Sequence, residues 1–113
     1  EAPALSIIDG LTSAGAEVVA FDPEARKRVE REHPNEKLSF TETPLDALDG
    51  ADALLVATEW PEFREPDFNE MKARLKAPVV FDGRNVWGLD QMQDEGFYYR
   101  SVGRPTVDTS HAA

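Results

Sequence analysis

Residues 53–57 read Ala-Leu-Leu-Val-Ala, and this apolar run decides the fold. Five residues are too few for a typical helix, and an uninterrupted apolar run fits a central strand buried on both faces of a parallel sheet. Residues 17–21, Glu-Val-Val-Ala-Phe, and 79–81, Val-Val-Phe, are further short apolar runs of the same character. We therefore predict a central strand at 53–57 and a buried parallel strand at each of the other two runs.

Helix-forming segments separate these strands. Helices are predicted at residues 4–14, 24–32, 44–48, 68–75 and 89–95, and weaker strands at 38–40 and 97–102. Alternating helices and apolar strands predict an α/β fold, in which right-handed crossovers join the strands of a parallel sheet flanked by helices. Such folds usually begin with a strand and this chain opens on a helix, so we expect a first strand to be missing from this chain.

The length and composition fit one compact domain, because 41% of the 113 residues are apolar. We predict a domain over residues 1–105 and a flexible C-terminal tail over 106–113. No apolar run approaches the roughly 18 to 20 residues of a membrane span, and the first residues lack the pattern of a signal peptide. The expected location is cytoplasmic, without a membrane partner.

The charge and the absence of cysteine exclude several functions. With 22 acidic and 12 basic residues, the net charge of -10 repels a phosphate backbone, so we expect no nucleic-acid partner. A single arginine can still bind a phosphate through charge-assisted hydrogen bonds. Without cysteine the chain has no disulfide, thiolate metal site or cysteine nucleophile. His33 and His111 lack partners at metal-ligand spacing, so we expect both to be solvent-exposed and no metal to bind.

The tetrapeptide Asp-Gly-Arg-Asn at residues 82–85 directly follows a predicted strand. Ligands of parallel α/β sheets bind beyond the carboxyl ends of the strands, and Gly83 permits a tight turn there. Arg84 is therefore a candidate ligand-binding residue. The alternative is a loop arginine that pairs with Asp82 or Asp90.

Residues 58–60, Thr-Glu-Trp, follow the run at 53–57 in the same way. They could contact a polar ligand, but we favour packing of Trp60 with Phe63 against the sheet, because buried aromatic residues mostly supply core area. Asp22 also follows a predicted strand, where dinucleotide-binding folds place an acid on the ribose. No Gly-x-Gly-x-x-Gly motif precedes it, so we favour a role in capping the next helix.

The carboxylates at residues 24–36 and 59–70 form no separate motif. Lysine and arginine residues lie among them, as on ordinary exposed helix faces. We interpret both stretches as solvated surface and not as acid-base pairs.

A series of short motifs runs in order along residues 1–105. They are Gly15-Ala16, Phe21-Asp22-Pro23, Ala51-Asp52-Ala53, Ala57-Thr58-Glu59-Trp60, Phe63, Leu75-Lys76, Phe81-Asp82-Gly83-Arg84-Asn85, and Gly96-Phe97 through Ser101-Val102-Gly103-Arg104. In order and spacing they resemble the C-terminal, UDP-binding domain of UDP-glucose 6-dehydrogenases, in the UDP-glucose/GDP-mannose dehydrogenase family. The resemblance implies a Rossmann-like sheet.

The resemblance also implies an activity. These enzymes oxidise the C6 alcohol of UDP-glucose twice, through an aldehyde and a cysteine-bound thiohemiacetal and thioester, and reduce two NAD to give UDP-glucuronate. NAD would be bound mainly by the remaining domains of the same enzyme, which would also carry the nucleophilic cysteine, so this chain alone should be inactive. Its partners would be UDP-glucose and those domains, with a homo-oligomer when intact.

Of the substrate-binding residues of that family, the arginine of the Asp-Gly-Arg motif maps onto Arg84. A second family residue, a lysine in a Phe-Lys-Pro-Asn-Thr-like segment of the first strand, has no counterpart, because this chain begins just after that segment.

Two other classes of function stay open. One is a stand-alone, non-catalytic α/β binding or interaction module, such as a receiver-like domain. The metal pocket of a receiver requires acidic residues clustered after the strands, and the acidic residues of this chain are not clustered there. The other is a structural domain that forms oligomer contacts through exposed Phe63, Trp87 or Phe97.

Overall fold

The computed structural model describes residues 2–59 and 61–109, in which short parallel strands alternate with helices. The helices are α1 (Ala2–Ser13), α2 (Arg26–Glu32), α3 (Phe68–Arg74) and α4 (Leu89–Asp94), and 3₁₀ helices span Leu45–Leu48 and Pro61–Phe63. The strands are β1 (Val18–Ala20), β2 (Leu38–Phe40), β3 (Leu54–Val56), β4 (Val79–Asp82) and β5 (Tyr98–Ser101). This confirms the predicted α/β fold. No helix in the described ranges is long and apolar enough to cross a membrane.

Two compact units divide the chain, Glu1–Ala47 and Leu48–Ala113. In the first unit, α1 ends at a left-handed glycine, as the sequence predicts. Gly15 has φ +101°, which favours glycine, and its N–H donates to the carbonyl of Thr12. The N–H of Ala16 donates to the carbonyl of Leu11 at 3.0 Å. This pair of bonds is the Schellman motif, which satisfies carbonyls that the helix end would otherwise leave unpaired.

Strands β1 and β2 form a two-stranded parallel sheet in the same unit, with Val18 opposite Leu38. Thr12 links α1 to the loop before β2, because its buried Oγ1 accepts from Asn35 Nδ2 at 3.0 Å and donates to the carbonyl of Ile8. The prediction of a parallel strand at 17–21 is confirmed. Its full burial is wrong, since the side chain of Val19 is exposed.

The second unit contains a three-stranded parallel sheet in the order β3-β4-β5. The run at 53–57 is therefore an edge strand of this sheet, and the prediction of a central strand there is wrong. Leu55, Phe81 and Arg100 are partners in the register and all are exposed, Leu55 to 41%. The next row contains Val80 and Tyr99, which are fully buried. The sheet thus buries one face, whereas uninterrupted apolar runs suggested two.

Aromatic side chains fill the core of the second unit. Phe68, on α3, makes edge-to-face contacts with Trp87 at 5.5 Å and with Phe97 at 5.8 Å between ring centroids. Trp87 is 4% exposed and Phe97 is fully buried, while Phe63 is half-buried. The hypothesis that Trp87 and Phe97 are exposed contact residues is therefore wrong, because both rings supply buried area to the core.

The described part of the segment after β5 packs against the unit. Val107 is buried and exchanges two backbone hydrogen bonds with Tyr99 in an antiparallel bridge. Thr109 Oγ1 donates to the carbonyl of Gly96 at 3.0 Å. The flexible tail was predicted over 106–113, but Val107 and Thr109 in it are bonded to the rest of the unit. Residues 110–113 lie outside the described ranges. The domain boundary at 105 stays a prediction.

We expect the substitution Val80→Ala to lower the free energy of unfolding of this chain by about 2 kcal/mol, because it removes two methyl groups from a fully buried site in the middle strand. The matched control is Val102→Ala, at a side chain that is 61% exposed, with an expected change within about 0.5 kcal/mol. Urea unfolding monitored by circular dichroism measures both. Equal losses would contradict the burial described above.

Candidate functional site

The carboxyl ends of β3, β4 and β5 lie side by side in the second unit. The register places Val56 opposite Asp82 and Asp82 opposite Ser101. The loops that follow the three strands therefore leave the sheet at one edge, where parallel α/β sheets bind their ligands. Two of these loops, at residues 83–88 and 102–106, are fully described.

Asp82 is the buried polar group at this edge, with only 2% of its surface exposed. Its Oδ1 accepts from the N–H of Arg84 at 2.9 Å, and its Oδ2 accepts from the N–H of Val86 at 2.7 Å. The hydroxyl of Tyr99 donates to Oδ2 at 2.6 Å. A buried carboxylate needs such donors, because removing it from water without them is costly. Asp82 thus fixes the backbone of the turn that follows β4.

The turn is also held from its two sides. The N–H of Gly83 donates to the carbonyl of Val56 at 2.9 Å, and a Cβ at this position would lie 3.3 Å from the same oxygen. Asn85 adopts φ +54°, a left-handed conformation that asparagine tolerates. Its Nδ2 donates to the carbonyl of Val102 at 3.0 Å, and its Oδ1 accepts from the N–H of Val102 at 2.9 Å. The turn is therefore tied to the end of β3 on one side and to the loop after β5 on the other.

Arg84 carries an exposed side chain in this turn. Within the described residues its guanidinium pairs with neither Asp82 nor Asp90, the alternative to a ligand-binding role. Only its backbone N–H bonds to the Asp82 carboxylate. A cation is thus presented at the ligand edge of the sheet by a backbone that the buried carboxylate holds in place.

Tyr99 and Arg104 complete the surroundings of Asp82, and sequence reasoning missed both. Arg104 Nη2 donates to the Tyr99 hydroxyl at 2.9 Å, and its Nε donates to Ser101 Oγ at 2.8 Å. Burial, and then the hydrogen bond to Asp82, raise the pKa of Tyr99 from 10.0 to about 12. One sequence pattern could have identified Tyr99 as buried. Side chains alternate along a strand, so Tyr99 lies on the same side as the core residue Phe97.

The other strand ends contribute less to this site. Thr58 is exposed, and the exposed Glu59 pairs with Arg64 at 3.4 Å. Trp60, whose packing with Phe63 was predicted, lies outside the described residues.

Asp22 has a structural role, but it does not cap α2 as predicted, because the N-cap residue of α2 is Ala25 and no side chain caps it. Its Oδ1 accepts from the N–H groups of Glu24 and Ala25, at 3.2 and 3.1 Å, in the turn that leads into α2. The residues around it do not fit a dinucleotide. This carboxylate is occupied by backbone donors, and no Gly-x-Gly-x-x-Gly motif precedes it to admit a pyrophosphate.

The remaining candidates lie on the surface. His33, at the C-terminal end of α2, is exposed as predicted, and His111 lies outside the described residues. Among the described residues no three histidine or carboxylate side chains are grouped so that they could hold a metal. Several carboxylates of the acidic stretches form ion pairs, exposed for Glu30 with Arg26 at 3.3 Å and half-buried for Glu70 with Arg74 at 3.0 Å. Such pairs fit the prediction of solvated surface.

Comparison with known proteins identifies the family. The sequence model of the UDP-glucose/GDP-mannose dehydrogenase family, UDP binding domain, matches residues 1–89. Because the match covers most of the chain, the chain belongs to this family and contains its UDP-binding domain. This confirms the resemblance that the short motifs indicated.

Individual relatives agree with this assignment. The UDP-glucose 6-dehydrogenase of Pseudomonas aeruginosa is 38% identical over 93% of this chain, and the UDP-glucose 6-dehydrogenase TuaD of Bacillus subtilis is 41% identical over 94%. The chain spans only about a quarter of these relatives, 24% and 23% of their lengths. A solved UDP-D-ManNAc dehydrogenase from Pyrococcus horikoshii is similar over 87% of this chain and 29% of its own, with a TM-score of 0.52 and 21% identity. This likeness confirms the Rossmann-like α/β fold.

We expect alkaline titration to reveal Tyr99 through its raised pKa. The neutral phenol is favoured in the folded state, so its stabilising contribution is complete below pH 10.0 and is lost as the pH rises toward about 12. Ultraviolet absorbance of tyrosinate should show a late ionisation near pH 12 that is absent from a Tyr99→Phe variant. If the wild type and this variant differ instead by an ionisation near pH 10.0, the phenol is not buried beside Asp82.

Proposed function

We propose that this chain is the nucleotide-sugar-binding domain of a UDP-glucose 6-dehydrogenase and that Arg84 contacts the bound UDP-glucose. The observation that carries the proposal is the position of Arg84, whose exposed guanidinium lies at the carboxyl edge of a parallel sheet. The names of the relatives, UDP-glucose 6-dehydrogenases, support this sugar nucleotide as the ligand.

The chemistry of Arg84 suits a diphosphate. A guanidinium presents N–H donors in a planar fork that matches two phosphate oxygens, and such charge-assisted bonds are stronger than neutral ones. The chain has a net charge of -10, so its long-range field repels a doubly charged ligand. Short contacts must therefore supply the attraction, which gives a single well-placed arginine a large share of the binding energy.

The proposed reaction is the twofold oxidation of the C6 alcohol of UDP-glucose to UDP-glucuronate. NAD, when bound, supplies the hydride acceptor in both oxidations. The Asp22 carboxylate is occupied by backbone donors, and the chain contains no cysteine for a covalent intermediate. The remaining domains would therefore supply the nucleophile and most of the NAD site, so the isolated chain should bind substrate weakly and have no activity. A homo-oligomeric assembly and a cytoplasmic location belong to the same proposal.

We expect Arg84→Ala, introduced into the full-length dehydrogenase, to raise the Kd for UDP-glucose by about 10- to 100-fold. The loss of a hydrogen bond to a charged group costs about 1.5–3 kcal/mol, which corresponds to that range. The KM for NAD should change less than about twofold, because Arg84 is assigned to the sugar nucleotide alone. Isothermal titration and steady-state kinetics with each substrate varied measure both effects.

The matched control is Arg100→Ala, which removes another exposed arginine from the same sheet. Arg100 is the register partner of Phe81 and lies one residue before the end of β5. Arg100→Ala changes the net charge by the same amount as Arg84→Ala, but it removes no group from the turn after β4. Equal losses in both variants would attribute the effect to net charge, and unchanged affinity in Arg84→Ala would remove Arg84 from the site.

A second expectation concerns the division of the site between domains. Isothermal titration of UDP-glucose, with UDP and GDP-mannose as controls, should show selective binding of UDP-glucose to the full-length protein. Binding to the isolated chain should be at least about tenfold weaker. The isolated chain lacks the contacts of the remaining domains, and a loss of about 1.4 kcal/mol of binding energy weakens affinity tenfold. If neither protein binds UDP-glucose, the stand-alone interaction module becomes the better assignment.

A further inference from the structure

A series of hydrogen bonds leads from Arg104 to the backbone of Arg84, through what we name the Asp82 network (Asp82, Tyr99 and Arg104). Arg104 Nη2 donates to the Tyr99 hydroxyl at 2.9 Å, and this hydroxyl donates to Asp82 Oδ2 at 2.6 Å. Asp82 Oδ1 then accepts from the Arg84 N–H at 2.9 Å. A phenol has one proton, and the hydroxyl has two acceptors, Asp82 Oδ2 at 2.6 Å and the carbonyl of Trp87 at 3.0 Å. The shorter bond to the charged carboxylate is the stronger of the two, and it is compatible with acceptance from the guanidinium. Donation therefore runs in one direction, from the cation of Arg104 to the anion of Asp82.

Burial makes the orientation of the Asp82 carboxylate depend on Tyr99. Both side chains are buried, so water cannot replace a missing donor. The hydroxyl holds Oδ2 from the side of β5, and the N–H groups of Arg84 and Val86 approach from the turn. Rotation of the carboxylate would break the bond to Arg84. The hydroxyl thus helps to set the backbone that carries the arginine.

Arg104 is held at the far end of the network by three contacts. Besides its bond to Tyr99, its Nε donates to Ser101 Oγ at 2.8 Å, and its Cζ lies 5.6 Å from the centroid of the Tyr99 ring. Arg104 is half-buried, and its guanidinium contacts the same hydroxyl that donates to Asp82. A cation in this position polarises the hydroxyl and strengthens its donation to the carboxylate.

We propose that Tyr99 and Arg104 are positioning residues for the nucleotide sugar. They orient the Asp82 carboxylate, which in turn fixes the Arg84 backbone from which the guanidinium reaches the ligand. Neither residue has to touch the ligand. This inference rests on the proposed role of Arg84 and adds a device on β5, and the loop after it, that controls substrate affinity.

The test is a double-mutant cycle in the full-length dehydrogenase with Tyr99→Phe and Arg84→Ala. Tyr99→Phe keeps the buried ring and removes the hydroxyl. It removes the bonds of the hydroxyl to Asp82, Trp87 and Arg104 together. We expect the KM for UDP-glucose to rise about five- to tenfold, because the Asp82 carboxylate loses its donor from β5, with kcat and the KM for NAD nearly unchanged. In the Arg84→Ala background the same substitution should raise the KM less than about twofold. A residue that acts through Arg84 has no further effect once that arginine is absent.

The control is Tyr98→Phe, which removes the hydroxyl from the neighbouring tyrosine of β5. Tyr98 is half-buried, contacts Phe81 edge-to-face and lies outside the Asp82 network. Its kinetics should match the wild type. Equal rises in KM for both tyrosine variants, additive losses in the cycle, or an unchanged KM in a folded Tyr99→Phe enzyme would each overturn the proposal. If Arg84→Ala itself leaves UDP-glucose kinetics unchanged, the proposed role of Arg84 is wrong. That result is distinct from a failure of the positioning role of Tyr99, which requires an effect of Arg84→Ala.

Arg104 provides an independent route if Tyr99→Phe does not fold. Arg104→Met removes every donor and keeps an aliphatic stem, whereas Arg104→Lys keeps a cation that can reach the phenol. We expect the KM for UDP-glucose to rise in Arg104→Met and to recover in part in Arg104→Lys, again without a change in the KM for NAD. Equal kinetics for these two variants, or a loss confined to kcat, would contradict a positioning role.

Discussion

The buried carboxylate of Asp82 is the group on which the described site depends. A carboxylate with 2% exposure persists in a protein only if donors surround it, and here two come from the backbone of the following turn and one from a phenol. The folding of the turn and the burial of the charge are therefore one event. The same carboxylate explains why Arg84 projects from a defined backbone in an otherwise acidic chain.

The order of the elements was predictable because local signals mark them. Strand β2 coincides with the predicted residues 38–40, and helix α1 ends before Gly15, whose left-handed conformation the sequence indicated. Burial of the strands was not predictable in the same way. An apolar run shows that side chains can be buried, but the number of covered faces depends on neighbours distant in the chain. Leu55 and Phe81 are exposed for this reason, although both belong to uninterrupted apolar runs.

The candidate site was predictable only where it follows one strand directly. Asp-Gly-Arg-Asn could be placed at the ligand edge from its position after β4. Tyr99 lies 17 residues further along, and no local pattern connects it to Asp82. The pairing of β4 with β5, which brings the two together, depends on the register of a later strand. Trp87 and Phe97 were misplaced for a related reason, since aromatic residues at loop and strand positions serve cores and contact surfaces alike.

The reciprocal hydrogen bonds of Asn85 with Val102 have a consequence for the thermodynamics of binding. The side-chain amide imitates a peptide group and continues the pairing of β4 with β5 past the last residues of both strands. Ordering the backbone of a flexible loop costs roughly 1–2 kcal/mol for each residue. In this turn that entropy is already lost when the chain folds. A ligand at this edge therefore meets a preorganised surface, and the energy of its contacts is not reduced by the ordering of the loop.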